Sequence, residues 1–238
     1  MIYLVIAAVS FIAGLVQGVT GFGACIVIMM ALPFYFTMPV SAGLAGAIPI
    51  ILCLAMVIRY RKEFNWKKAV VPYALYFIVC SLSINFSVGV DQELVKKVFG
   101  VFLIILSIYY LFFNKFDGSK KISIPVCIVF IIISAICDGM FGIGGPLMVL
   151  YFLSITTSSH EYLGTIQMFF LFNTVYNTCF RFVKGILVME HMGYIAIGTV
   201  AIFLGLMIAN RIVDKMNADI LRKLTYVMIG VSGIINIL

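Results

Sequence analysis

Two glycine clusters carry most of the chemistry this sequence can offer. The stretch GVTGFGACIVIMM places Gly18, Gly21 and Gly23 within six residues, and DGMFGIGGPLMVL places Gly139, Gly142, Gly144 and Gly145 directly after Asp138. Both lie inside runs otherwise as apolar as lipid, although glycine costs roughly 1 kcal/mol relative to alanine in a helix interior. One explanation is close helix packing through small residues. The other is an unwound turn, because glycine reaches positive φ freely and lets a ligand approach the backbone. A half-helix starting near Gly23 or Gly145 would then aim free N–H groups and its positive dipole end at an anion, with no buried lysine needed.

Polar side chains in the apolar runs add to this set. Asp138 is the only acid deep in such a run, where an ionisable group is expensive and functional by default. It is either a proton-carrying group or an acceptor that ties down the glycine turn. Further on, Gln167, Thr174, Asn177 and Arg181 share one helical face, with Asn173 close by. An amide stripe ending in arginine suits the path of an oxyanion, since the guanidinium forks onto two oxygens. Interhelical hydrogen bonding, with Arg181 snorkelling to the interface, explains the same pattern. The expected solute-binding set is Gly18, Thr20, Gly21, Gly23, Gly139, Gly142, Gly144, Gly145, Asn173, Asn177 and Arg181, with Asp138 as the candidate for proton coupling.

These residues need elements to hold them, and composition says which kind. Of 238 residues 64% are apolar and only 11% charged, with a mean hydropathy of +1.20. Soluble domains carry about 25% charged residues, so an all-α polytopic membrane protein is expected. Its polar stretches are too short for a separate soluble domain. The opening residues Met1-Ile2-Tyr3-Leu4 lack a basic signal-peptide region, so the first segment is expected to remain in the mature protein. The net charge of +7 reflects Lys and Arg clustered in a few loops, not a nucleic-acid surface. The six cysteines sit in apolar runs without a C-x-x-C pair and read as small hydrophobes. Neither these nor His160 and His191 suggest a metal site, and no cofactor is expected. No nucleophile–base motif and no nucleotide-binding loop occurs, which points away from an enzyme and from direct use of ATP.

Eight apolar runs can be read, near 2–36, 40–58, 69–86, 94–113, 122–153, 162–182, 192–210 and 220–238. Six have the length of one crossing. The first would be roughly 52 Å long as a continuous helix, against a hydrocarbon core of about 30 Å. It and the overlong fifth contain the glycine clusters. A shift of 121 positions lays Gly18, Gly21 and Gly23 on Gly139, Gly142 and Gly144, Gln17 on Asp138, Gly43 on Gly164 and Tyr73 on Tyr194. Five further positions bring DQELVKK (Asp91–Lys97) onto NADILRK (Asn217–Lys223). The chain therefore reads as two homologous four-segment repeats, residues 1–118 and 119–238, whose first segments are broken at Gly-rich turns. With eight simple crossings, Lys and Arg split 10 against 6; with both long runs re-entrant, the split is 12 against 4. The second is the cleaner positive-inside bias and makes the repeats inverted, with both termini outside and the RYRKEFNWKK loop cytoplasmic.

The doubled GVTGFGACIVIMMALPFYF and DGMFGIGGPLMVLYFL, each opening a four-segment half, resemble the sulfite exporter TauE/SafE family of membrane permeases over essentially the whole chain. The first copy has Ala24 and Cys25 where that family often has glycine but keeps Pro33; the second keeps Gly144-Gly145 and then has Pro146. The resemblance implies a secondary transporter, exporting or importing sulfite, an organosulfonate or a related small anion, as a multi-pass protein of the inner (plasma) membrane. Its partners would be the anion and the lipid bilayer, and a homodimer is compatible with it. The alternatives are a carrier of another small solute, such as a carboxylate or metal ion, and a non-transport membrane scaffold.

Overall fold

A computed structural model of the chain describes residues 1–112 and 123–212, with residues 227, 230, 231, 233, 234 and 237 of the last run. Among the described residues every regular element is helical. Within the described residues, four stretches are long and apolar enough to cross a membrane: Met38–Tyr60, Pro72–Gly89, Ile124–Phe141 and Met189–Arg211. Residues 213–226, and with them the NADILRK part of the repeat match, lie outside the described residues.

The two overlong runs are both interrupted at their glycines. The first divides into α1 (Ile2–Thr20) and α2 (Ala24–Met29), followed by a 3-10 turn at Leu32–Phe34. The fifth divides into α7 (Ile124–Phe141) and α8 (Gly145–Ile155). Both first helices end the same way. Gly21 (φ 82°) and Gly142 (φ 68°) adopt the left-handed conformation that stops a helix, and each donates its N–H to the carbonyl four residues back, Gln17 and Asp138, at 2.8 Å.

After each stop the chain reverses. On a continuous helix, residues 134 and 144 would be about 15 Å apart. Instead the Ser134 hydroxyl hydrogen-bonds the Gly144 carbonyl. Further back along α7, Cys127 and Ile131 share a buried apolar cluster with Met148, Val149, Tyr151 and Phe152 of α8. The fifth run is therefore a helical hairpin. In the first run, the Ala24 N–H returns to the Gln17 side chain at 3.1 Å. The returning helix α8 has 11 residues, about 16 Å, roughly half the thickness of a hydrocarbon core.

The second run was expected as one segment, but it bends. It forms α3 (Met38–Ala47) and α4 (Ile50–Tyr60), with Ile48 and Pro49 between them. Pro49 has no N–H to give the Ala45 carbonyl. That carbonyl takes the Cys25 thiol from α2 instead, at 3.4 Å. The remaining helices are α5 (Trp66–Gly89), α6 (Gln92–Phe112), α9 (Ser159–Val183) and α10 (Met192–Ile212).

The principal packing is reciprocal: α1 lies along α10, α7 lies along α5, and α4 lies along α9. Gly18 and Gly139 stand at the two equivalent contacts. A Cβ on Gly18 would come within 2.5 Å of the Ala209 side chain, and one on Gly139 within 2.4 Å of Ser83. Gly139 follows Gly18 by 121 positions and Ala209 follows Ser83 by 126, the two offsets of the expected repeat.

Candidate functional site

Both hairpin tips open onto one cavity. Gln17, Gly23 and Cys25 line it from the first hairpin, and Asp138, Gly144 and Gly145 from the second. Gly43, Gly46, Pro49 and Cys53 of the bent α3–α4 segment form one wall. Asn173, Thr174, Asn177, Thr178 and Arg181 of α9 form another wall beside it. The non-atom space among these residues, part of it open to the outside, is about 680 Å³.

The two hairpins are pinned differently. In the first, Gln17 Oε1 accepts the Ala24 N–H, and its Nε2 faces the Cys53 sulfur at 3.9 Å. Of the N–H groups expected to be free at this half-helix start, that of Ala24 is thus already taken. From outside, Gln167, fully buried in α9, donates Nε2 to the Gly21 carbonyl at 2.6 Å. In the second hairpin, Ser134 holds the turn through Gly144, while Asp138 turns its carboxylate away to α5 and α9. Its Oδ2 accepts Asn177 Nδ2 at 2.6 Å, Asn173 Nδ2 at 2.8 Å and the Cys80 thiol at 3.5 Å. A carboxylate that accepts several side-chain donors keeps a buried charge hydrogen-bonded, which burial demands.

Arg181 does not snorkel. It is 1% exposed, and its guanidinium donates to the carbonyls of Pro39 at 3.0 Å, Gly139 at 2.7 Å and Asp138 at 3.4 Å. It therefore ties the start of α3 and the end of α7 to α9. Of the described residues that line the cavity, Asp138 is the one acid and Arg181 the one base. They form no direct ion pair, their charges being met by amides and carbonyls respectively.

The glycines divide by task. Gly21, Gly23 (φ 101°) and Gly142 supply positive φ at the turns. Gly144 does not: its φ is −97°, and a side chain is excluded there because a Cβ would fall 1.8 Å from the Tyr76 hydroxyl. Gly18 and Gly139 lie inside helices, at the contacts with α10 and α5. The side chain of Thr20 lies outside the described residues. Sequence reasoning did not single out Cys25, Cys53, Pro49, Ser134 or Tyr76 for this region. The usable signals were Cys25 two positions after Gly23 and a proline in mid-run at 49.

At the far end of α9 the electrostatics are those of a surface latch. Glu161, in the first turn, accepts Lys68 Nζ at 2.7 Å and the Asn65 amide at 3.0 Å on Oε1. On Oε2 it accepts the Thr157 N–H and hydroxyl, each at 2.8 Å. Partial burial pushes its carboxyl pKa up, but the Lys68, Thr157 and Asn65 donors outweigh that and bring it down to about 2.

Comparison with known proteins adds the family. The family model described as sulfite exporter TauE/SafE matches residues 6–235. A probable membrane transporter protein of Methanocaldococcus jannaschii is 25% identical over 162 residues, which are 62% of this chain and 60% of that one. The match thus spans less than two thirds of that relative's length. No solved structure matches.

Proposed function

The chain belongs to the sulfite exporter TauE/SafE family, and we propose that it is a membrane transporter that carries a small sulfur-containing anion, such as sulfite or an organosulfonate, through the cavity between the two hairpin tips. The observation that carries this reading is the convergence of both tips and the polar face of α9 on one space. Asn173, Thr174, Asn177 and Arg181 make one wall of that space polar, although the Thr174 hydroxyl already donates to carbonyls of its own helix and the Asn177 amide to Asp138 and Asn173, and α8 begins at its edge with Gly145. A helix start of this kind favours negative charge. The first tip contributes shape more than donors, since the Ala24 amide is held by Gln17.

Asp138 and Arg181 together leave the lining without net charge. A proton on Asp138 would remove the opposing charge and leave Arg181 to attract an anion, which couples proton and anion in one cavity. The site is then the middle of an inverted-repeat carrier. The like helix stops at Gly21 and Gly142 and the reciprocal contacts of Gly18 with α10 and Gly139 with α5 support two related halves, residues 1–118 and 119–238. A multi-pass protein of the plasma membrane fits this reading.

Flux into liposomes tests it. Purified protein should move radiolabelled sulfite or a sulfonate faster than a carboxylate of equal charge, with a rate that responds to an imposed pH gradient. Equal movement of the carboxylate would favour the carrier of another small solute. Absence of flux for every solute would leave the scaffold.

A further inference from the structure

A second cavity lies behind the second hairpin, between α6, α7 and α8. It holds about 890 Å³ of space, part of it open to the outside. Its lining includes Phe102, Ile105, Leu106, Ile133, Cys137 and Leu150, and among the described residues it has no charged side chain. Its mouth is flanked by Ile105 and Ile133, 61% and 43% exposed, on helices whose outward faces are apolar, so it is continuous with the surface that meets lipid. Deeper in, Cys137 and Leu150 are both 8% exposed. Beside the lining residue Phe102, Phe99 and Phe102 of α6 meet Phe141 of α7, with ring centroids 5.2 and 5.9 Å apart. Three residues, Ile143, Gly144 and Pro146, belong to the walls of both cavities. One thin turn separates the crevice from the solute space.

An apolar void of this kind excludes water, and leaving it empty forfeits the contacts of every side chain around it. The apolar molecule always at hand at that depth is a bilayer lipid. We propose that the crevice between α6, α7 and α8 is a binding site for a lipid acyl chain, and that the chain supports the Gly144–Pro146 turn from behind. Occupancy then regulates the solute site: a filled crevice holds the turn and Ser134 in place, and an empty one lets the turn yield outward. The regulatory part rests on the reading that this turn borders the solute site. The acyl-chain site itself does not.

Photolabelling separates the two. Protein reconstituted with a phosphatidylcholine carrying a diazirine near the end of one acyl chain is irradiated, and the labelled residues are mapped by peptide mass spectrometry. Label is expected on Cys137, Leu147 or Leu150 inside the crevice, as well as on the outward-facing Val126 and Ile128. Ile133→Trp, which fills the mouth from an exposed position, should bring the inner label to background and leave Val126 and Ile128 labelled. Ile105→Trp is an independent filling from α6. Label confined to the outward residues, or inner label indifferent to both substitutions, overturns the site. Amide exchange at Ile143, Gly144, Gly145 and Leu147 reads the regulation without reference to any solute. It should slow severalfold when lipid is returned to delipidated wild-type protein, and stay slow throughout in Ile133→Trp. Exchange that ignores lipid, despite inner labelling, overturns the support of the turn. A failure of sulfite or sulfonate flux would leave both readouts unchanged, and so tells against the solute reading alone.

Discussion

Asn177 gives its side-chain amide to Asp138 Oδ2 at 2.6 Å, and one turn earlier on α9 Asn173 gives its own to the same oxygen at 2.8 Å. One carboxylate oxygen thus gathers two amides from the facing helix and the Cys80 thiol from α5. Asparagine at position 138 can still present an oxygen to these donors but cannot carry a proton. Asp138→Asn should therefore insert and fold, lose flux driven by a pH gradient, and keep exchange of solute across the membrane. Parallel loss of both in liposome assays would assign Asp138 to holding α7, α5 and α9 together.

Gly144 offers a sharper geometric test. Alanine there places a methyl group 1.8 Å from the Tyr76 hydroxyl and 2.8 Å from the Asp138 Cβ, inside a region where Tyr76 is fully buried. Overpacking of this kind costs roughly 1 to 3 kcal/mol. Gly144→Ala should lower stability in detergent and weaken binding of every anion alike. Because the obstacle is a hydroxyl, adding Tyr76→Phe should restore part of both losses. A double-mutant cycle with no coupling between the two positions would show that the turn relaxes by another route.

How much of this was legible beforehand differs from residue to residue. The breaks at both glycine clusters could be read because two runs were too long for a membrane and glycine in a helix is costly without a purpose. The purpose of Gly144 could not be read, since it depends on Tyr76, 68 positions away in sequence and on another helix. The bend at Pro49 was readable from proline chemistry. It was masked because run 40–58 already had the length of one crossing. Run length alone does not separate a reversal of each long run from a simple break. Its fasteners, Gln17 to Ala24 and Ser134 to Gly144, become visible only once the chain has turned back. For Arg181 the pattern suggested a ligand for oxyanions or a snorkelling side chain. The structure instead engages it with three backbone carbonyls.

That engagement makes Arg181→Lys informative. A lysine keeps the charge but brings one nitrogen where two now serve carbonyls on α3 and α7. Each buried carbonyl left without a donor costs about 1 to 3 kcal/mol. The variant should lose stability by that order even with no solute present, and its anion preference should change as well. Thermal unfolding in detergent without anion checks the first part. An unchanged midpoint there, with weakened anion binding, would make Arg181 a ligand only.

The Glu161 latch can be tracked by pH. Its pKa is lowered on folding, from an ordinary value near 4.5 to about 2, by Lys68, Thr157 and Asn65 working against its partial burial. A group whose folded pKa is depressed adds stability above its unfolded pKa, and that contribution fades as pH falls towards the folded value. The contribution of Glu161 should therefore be complete above about pH 4.5 and shrink between there and pH 2. With the carboxylate 14% and the ammonium 28% exposed, solvent screening limits it to roughly 1 to 3 kcal/mol. Glu161→Gln should unfold more easily than the wild type at neutral pH, and the gap between them should narrow across that acid window. Lys68→Met breaks the same ion pair from the other side, so pairing it with Glu161→Gln should cost less than the sum of the two alone. The measurement is thermal unfolding of the four proteins at neutral pH and at successively lower pH values. A gap constant with pH would mean that Glu161 acts through its hydrogen bonds to Thr157 alone, without contribution from its charge.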